Sequence, residues 1–499
     1  MSDAWERLFP RLEELRDLAS VGSLLSWDQA VMMPPRGGPA RAKVISTIDA
    51  LTHSRLVDPE IGALLEELRG DDSLDELKRA HVRVLAKSYE RATKIPEGLV
   101  RALSEESGLA YNAWVEARPA NDFAAFAPHL EKLLALKKEE ADAVGHDGER
   151  YDALLDEYEP DMKTTQVEDM FTDLVGGLRP LVEGVLEVAG DKPAFLSAAY
   201  EENRQEQFSQ TLVRRLGFEM DAGRLDLSPH PFTQTISAGD VRQTTRTEPN
   251  TVLNCVYSAI HETGHALYEQ GIPEEVLGLP AGNAPSLGIH ESQSRMWENQ
   301  VGRSRAFTDF LLPQLKDVFP QELGRIDPDE FYRGANFPAR TLIRVNADEL
   351  TYNLHLALRF ELEVAMVRDE LEVAELPDAW REGMQRNLGV VPETDADGVL
   401  QDVHWSLGAI GYFPTYTLGT MYAAAFYRKA EEELGDLAPD LRRGDGSRLL
   451  GWLRANIHRH GYIYSAGELG ERVLGAPLTA APLLDYLKVK YEEIYGTTL

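Results

Sequence analysis

The stretch "YSAIHETGHALYEQG", residues 257–271, decides how the rest of the chain is read. Around it Val252, Leu253, Val256, Ala259, Ile260 and Leu267 recur at helical spacing, predicting a helix with Asn250 as N-cap and Gly271 as its stop. On that helix His261 and His265 stand one turn apart on one face, so their imidazoles can converge on a single ion. Glu262 is offset around the axis, close enough to take a proton from activated water and badly placed to be a ligand.

A hydrolytic metal site needs a third protein ligand and one open position. The longer pattern with Gly and His further along the same helix is excluded, because those places hold Tyr268 and Gly271. Glu269 shares the face of His265 but lies about 12 Å along the axis from His261, too far to share an ion. A second helix must contribute, and "SLGIHESQSRMWENQVGRS" (286–304) supplies one. Glu291 follows His265 by 26 residues (291 − 265), room for a loop and an antiparallel return. Its neighbour His290 is the rival, but points about 100° away on the same helix, so Glu291 is favoured. Two imidazoles and a carboxylate suit Zn²⁺, which Co²⁺ can replace.

The surroundings fit a large helical protein. At 499 residues the chain can bury a substantial core, and 43% hydrophobic with 27% charged residues is ordinary globular composition. Three-four spacing recurs, as in Leu12, Leu15, Leu18 and Val21. Pro and Gly break the helical pattern at 32–41, 94–98, 156–162 and 181–193, yet no linker or fixed-period repeat divides it. One helical body is therefore expected over 1–499, with residues 1–200 as a lid or groove wall and 201–499 as the catalytic part. Only residues 223–247 break the pattern. Their alternation and threonine content predict a small antiparallel sheet beside the metal helix, either as an edge on which an extended peptide can add or as a prop.

The formal charge of −32 opposes binding to nucleic acid or anionic membranes, which would be repelled. No apolar run reaches the roughly 20 residues of a membrane span, and the acidic N-terminus lacks the basic start of a secretory signal. Cys255 is the single cysteine, so no intrachain disulfide can form. A cytoplasmic protein is the expectation.

Six further segments accompany the opening stretch in order: "HPF" (230–232), "DVRQT" (240–244), "HESQ" (290–293), "IRVNAD" (343–348), "GVLQDVHW" (398–405) and "GYFPTYTLG" (411–419). With "SWDQAVMMPP" (26–35), the set resembles the carboxypeptidase Taq family of zinc metallocarboxypeptidases from about residue 20 to the C-terminus. The resemblance implies a mainly α, neurolysin-like fold with a deep groove, usually a homodimer. It also implies stepwise removal of C-terminal residues from peptides with broad preference, C-terminal proline being poorly accepted.

Within that frame His404, Tyr412 and Tyr416 are the candidates for stabilising an oxyanion. A carboxypeptidase must grip a free carboxylate, which an arginine does best. Arg344 is the first choice and Arg242 the second, while Asp348 and Asp402 are expected to hold a histidine or arginine in place. His230 either contacts substrate or caps the strand. An oligoendopeptidase or dipeptidyl carboxypeptidase on the same fold is the alternative enzyme, and a non-catalytic peptide-binding scaffold the alternative of another class.

Overall fold

The computed structural model describes residues 3–499, and the chain is mainly α-helical. Five helices frame the site, α1 (Asp3–Val31), α3 (Leu253–Glu269), α4 (Leu287–Arg295), α5 (Tyr352–Val367) and α6 (Pro414–Leu434), while α2 (Gly38–Leu56) packs along α1. The largest apolar core joins Phe126, Leu133, Leu154 and Leu174 of the first half to Leu354, Phe360, Trp405 and Leu487 of the second. Among the described residues no helix is long and apolar enough to cross a membrane.

The sheet differs from the antiparallel one predicted. Its order is β1 (Gly223–Leu227), β3 (Asp240–Thr245), β2 (Thr233–Ser237), with β2 antiparallel to β3 but β1 parallel to it. The cause lies in "SPHPF", residues 228–232. Its two prolines lack the N–H a tight hairpin needs, so the chain crosses the end of β3 instead. There the Thr244 hydroxyl accepts from Phe232 N at 2.9 Å, and Thr244 N donates back to Phe232 O at 2.9 Å. That leaves β2 at the edge beside α1, where Gln234 Nε2 donates to Ser23 Oγ at 3.0 Å.

Helix α3 is buried on two sides. Ala259 and Ala266 meet Leu225 and Val241 of the sheet, while Val256, Tyr257, Ile260 and Leu267 enter the helical core. His261, Glu262 and His265 occupy what remains. The helix begins at Leu253, after a turn at Pro249–Asn250, so Asn250 is not its N-cap. Helix α4 is capped by Ser286, whose Oγ accepts from Ile289 N, and runs directly into a π-helical stretch, Met296–Gly302.

Two glycines set the spacing. A Cβ on Gly264 would lie 2.6 Å from Gln293 O and from Ser294 Cα, so only glycine lets α4 approach α3 this closely. A Cβ on Gly419 of α6 would lie 2.6 Å from Cγ of Glu291. The glycines in "HETGH" and "GYFPTYTLG" thus make room for one carboxylate.

Candidate metal and substrate site

The side chains of His261, His265 and Glu291 converge. One donor atom from each lies within 4.8 Å of the others. Glu291 Oε2 is 3.6 Å from His261 Nε2 and 3.3 Å from His265 Nε2. Donors bound tetrahedrally at roughly 2.0–2.2 Å sit roughly 3.3–3.6 Å apart, so the spacing and the N, N, O donor set fit a zinc-sized divalent ion.

Two of the three donors, His261 and Glu291, are held from behind, whereas His265 Nδ1 has no hydrogen-bond partner among the described residues. His261 Nδ1 meets Glu298 Oε2 at 3.0 Å, which keeps a proton on Nδ1 and leaves the Nε2 lone pair facing Glu291. Burial opposes ionisation of Glu298, but Arg295, His261 and Arg303 outweigh it and hold the carboxyl at about 2. Arg295 Nε donates to Glu291 Oε1 at 2.7 Å, so only Oε2 faces the imidazoles. Burial, with the neighbouring His290 adding to it, pushes His265 down to about 3, so its ring is neutral.

The rival His290 is not a fourth donor here. Its ring stacks on His265 with centroids 4.4 Å apart, and its Nε2 is 2.9 Å from Glu269 Oε1.

Glu262 is buried beside the donors, and its Oε2 accepts from Thr233 Oγ1 of β2 at 2.7 Å. Burial raises its pKa, with the neighbouring His261 working the other way, which suits a base near neutrality. The edge strand, Ser20 and Ser23 of α1, Glu269 and His290 line a cavity of about 630 Å³, with Thr233, the partner of Glu262, in its wall.

The later segments assemble opposite. His404 Nε2 is 3.2 Å from the Tyr416 hydroxyl, and the Tyr412 ring lies 5.3 Å from those of both His404 and Tyr416. Tyr416 shares a face of α6 with Gly419, the residue that clears space for Glu291. Burial, with Glu291 adding to it, raises both phenols, so they stay protonated donors. His404 is pushed down to about 4 by burial and by Arg344, and is neutral.

Arg344 is buried in the same wall. Its Nε and Nη2 reach Asp402 Oδ1 at 3.0 and 2.7 Å, and Nη1 reaches the Tyr352 hydroxyl at 3.2 Å. Gln401 Oε1 accepts from the Arg344 backbone N at 2.8 Å. "GVLQDVHW" therefore holds "IRVNAD" by both backbone and side chain, and Asp402 is the arginine holder expected of it.

Three candidates fall elsewhere. Among the described residues Asp348 holds no histidine or arginine. Its oxygens cap the approach to α5 by accepting from Ala339 N, Leu350 N and Thr351 N, the usual use of an Asp before a helix. Arg242 does not join Arg344, because Asp240 takes its fork at 2.8 and 2.7 Å and its guanidinium covers the Trp27 ring at 4.2 Å. His230 is exposed in the proline-bearing crossover.

The sequence reading missed Arg295, Glu298 and Thr233. The first two carry a signal, being four and seven residues after Glu291 and so on its face. Thr233 carries none.

Comparison with known proteins agrees with this geometry. The family model for carboxypeptidase Taq (M32) metallopeptidase matches residues 7–491. Thermostable carboxypeptidase 1 of Thermus thermophilus is 44% identical over 99% of both chains. The protein of that name from Pyrococcus furiosus is 38% identical over 96% of this chain and 97% of its own. The crystal structure of an M32 carboxypeptidase from Deinococcus radiodurans superposes with a TM-score of 0.97 at 42% identity, covering 99% of this chain and 100% of that one. The chain belongs to the carboxypeptidase Taq (M32) family of metallopeptidases and is a peptide hydrolase.

Proposed function

We propose that the chain is a zinc carboxypeptidase that hydrolyses the last peptide bond of substrates bearing a free C-terminal carboxylate. The observation that carries this reading is the convergence of His261, His265 and Glu291, with the buried base Glu262 beside them and the buried Arg344 across the cleft. His261, His265 and Glu291 would hold the ion, and Co²⁺ is expected to replace zinc on the same donors. When bound there, zinc supplies Lewis acidity and lowers the pKa of water at its open position.

The residues of the chain do the rest. Glu262, oriented by Thr233, accepts a proton from the attacking water and returns it to the leaving amine. Tyr416, Tyr412 and the neutral His404 offer hydrogen-bond donors to the oxyanion of the tetrahedral intermediate. Arg344 receives the substrate carboxylate, its guanidinium already fixed by Asp402 so that little ordering remains to be done. Edge strand β2 lies where the upstream peptide can add as an extended strand.

The rest of the reading extends the family likeness. Specificity is broad with C-terminal proline disfavoured, residues 1–200 wall the groove, and the protein is a cytoplasmic homodimer that binds neither nucleic acid nor membrane. The α1–α2 hairpin supports the dimer, since α2 buries no residue and Val21, Leu24, Val44 and Leu51 on the pair, with Met32 in the turn after α1, are exposed.

Offering one peptide as its free acid and as its C-terminal amide tests the central claim. The acid should be shortened from its C-terminus and the amide left intact. Equal cleavage of the two would favour an endopeptidase on the same fold and end this proposal.

A further inference from the structure

The carboxylate of Asp402 serves two arginines, not one. Arg344 takes Oδ1, while Nε of Arg359 on α5 donates to Oδ2 at 2.6 Å. Arg359 is wholly buried over the Trp380 ring, 4.5 Å from its centroid. Its Nη1 donates to His355 O at 2.7 Å, and its Nη2 has no hydrogen-bond partner among the described residues.

Two guanidiniums on one carboxylate leave a surplus positive charge. Nearby groups discharge it only in part. The His404 ring is pushed down to about 4 by burial, and burial also drives His355 well below its usual range, so both are neutral. Glu363, one turn along α5, directs its oxygens to the Tyr151 hydroxyl, the Trp405 indole and Gly411 N. Burial pushes that carboxyl up to about 7, so it is only partly ionised near neutrality. A buried cation without a full counter-charge is costly, and an arriving carboxylate would relieve it.

We infer that Arg359 is a positioning residue for recognition of the substrate's C-terminal carboxylate: by occupying Oδ2 of Asp402 it stops that carboxylate from neutralising Arg344. The inference rests on the carboxypeptidase reading above. Without Arg359, Asp402 would turn both oxygens to Arg344 and close a neutral pair that attracts an anion weakly. Arg359 touches no substrate in this scheme. Its charge sets how strongly Arg344 draws one.

The test uses zinc-loaded enzyme and a peptide made resistant to cleavage, benzoyl-glycyl-N-methylphenylalanine, as free acid and as amide. Competitive inhibition constants are read only from molecules that turn over, so partial misfolding of a variant does not distort them. In the wild type the acid should inhibit at far lower concentration than the amide; no such preference would fail the carboxypeptidase reading itself. Given that preference, Arg359→Met should weaken the acid about tenfold or more, leave the amide within about threefold, and raise KM with little change in kcat. Should the Met variant not fold, Arg359→Gln carries the same expectation. Arg359→Lys, which restores the charge, should recover most of the acid's advantage. An unchanged acid-to-amide ratio in the neutral variant, an equal loss for both compounds, or a Lys variant no better than the neutral one would each overturn the inference.

Discussion

Two buried networks, one at the imidazoles and one at Asp402, are built from carboxylates and guanidiniums in opposite proportion. Around the imidazoles three carboxylates, Glu262, Glu291 and Glu298, meet two guanidiniums, Arg295 and Arg303. Around Asp402 the proportion is reversed, with two guanidiniums, Arg344 and Arg359, on one carboxylate. Neither proportion is sensible for stability alone, because an uncompensated buried charge is penalised. Each suits what its network is proposed to receive, a divalent cation at the imidazoles and a carboxylate at Arg344.

The harshest way to break this picture is Glu262→Gln. The amide keeps the size of the carboxylate and removes the base, so kcat should fall by about 10³, within the range for general-base loss. Metal content by atomic absorption should be unchanged, since Glu262 is not among the three converging donors. Retained activity with normal metal content would remove the base from the mechanism.

Next in size is Tyr416→Phe. The phenol is protonated, 3.2 Å from a neutral histidine, and beside the Glu291 carboxylate, so it is free to donate to a developing oxyanion. Loss of one such donor costs about 10² in kcat, with KM moving far less. A variant changed only in KM would make Tyr416 a substrate contact instead.

How much of this was legible in the sequence depends on whether partners share an element. His261, Glu262 and His265 are fixed by one helical period, and Glu291 by the need for a second helix. Glu298 was equally accessible at seven residues from Glu291, yet a carboxylate among many in so acidic a chain announces nothing until the ring it orients is located. Contacts between distant segments left no trace, including Thr233 on Glu262 and Arg359 on Asp402. The sheet failed for a related reason. Alternation identifies strands, but strand order was decided by where two prolines forced the chain to cross. Asp348 and Arg242 show that a motif residue serves a helix start or a strand neighbour just as well as a ligand.

Arg295→Met probes the metal wall with a smaller effect. Its guanidinium fixes Glu291 Oε1 and lies 4.2 Å from the Tyr352 ring, tying the metal carboxylate to the helix that also carries Arg359. Metal affinity, read by competition with a chelating dye, should weaken about 10- to 100-fold, as for other partners that orient ligands. Unaltered affinity would mean that the Glu291 carboxylate is aligned by Gly419 and Ser294 alone.

The finest test concerns a buried carboxylate with no cation beside it among the described residues. Glu159 accepts from Gly288 N at the start of α4 and from the Thr415 hydroxyl, and burial pushes it up to about 7, whereas Glu298, equally buried but flanked by arginines, stays at about 2. Because its folded pKa lies above the ordinary 4.5, the folded state holds a proton there that the unfolded chain releases. That contribution is complete below about 4.5 and is lost as pH rises through about 7. Glu159→Gln mimics the protonated form at every pH, so its melting temperature should gain on the wild type by about 1–3 °C between pH 5 and pH 8. Parallel melting curves across that range would mean that Glu159 stays charged in the fold, and that partners, more than burial, do not separate these two carboxylates after all.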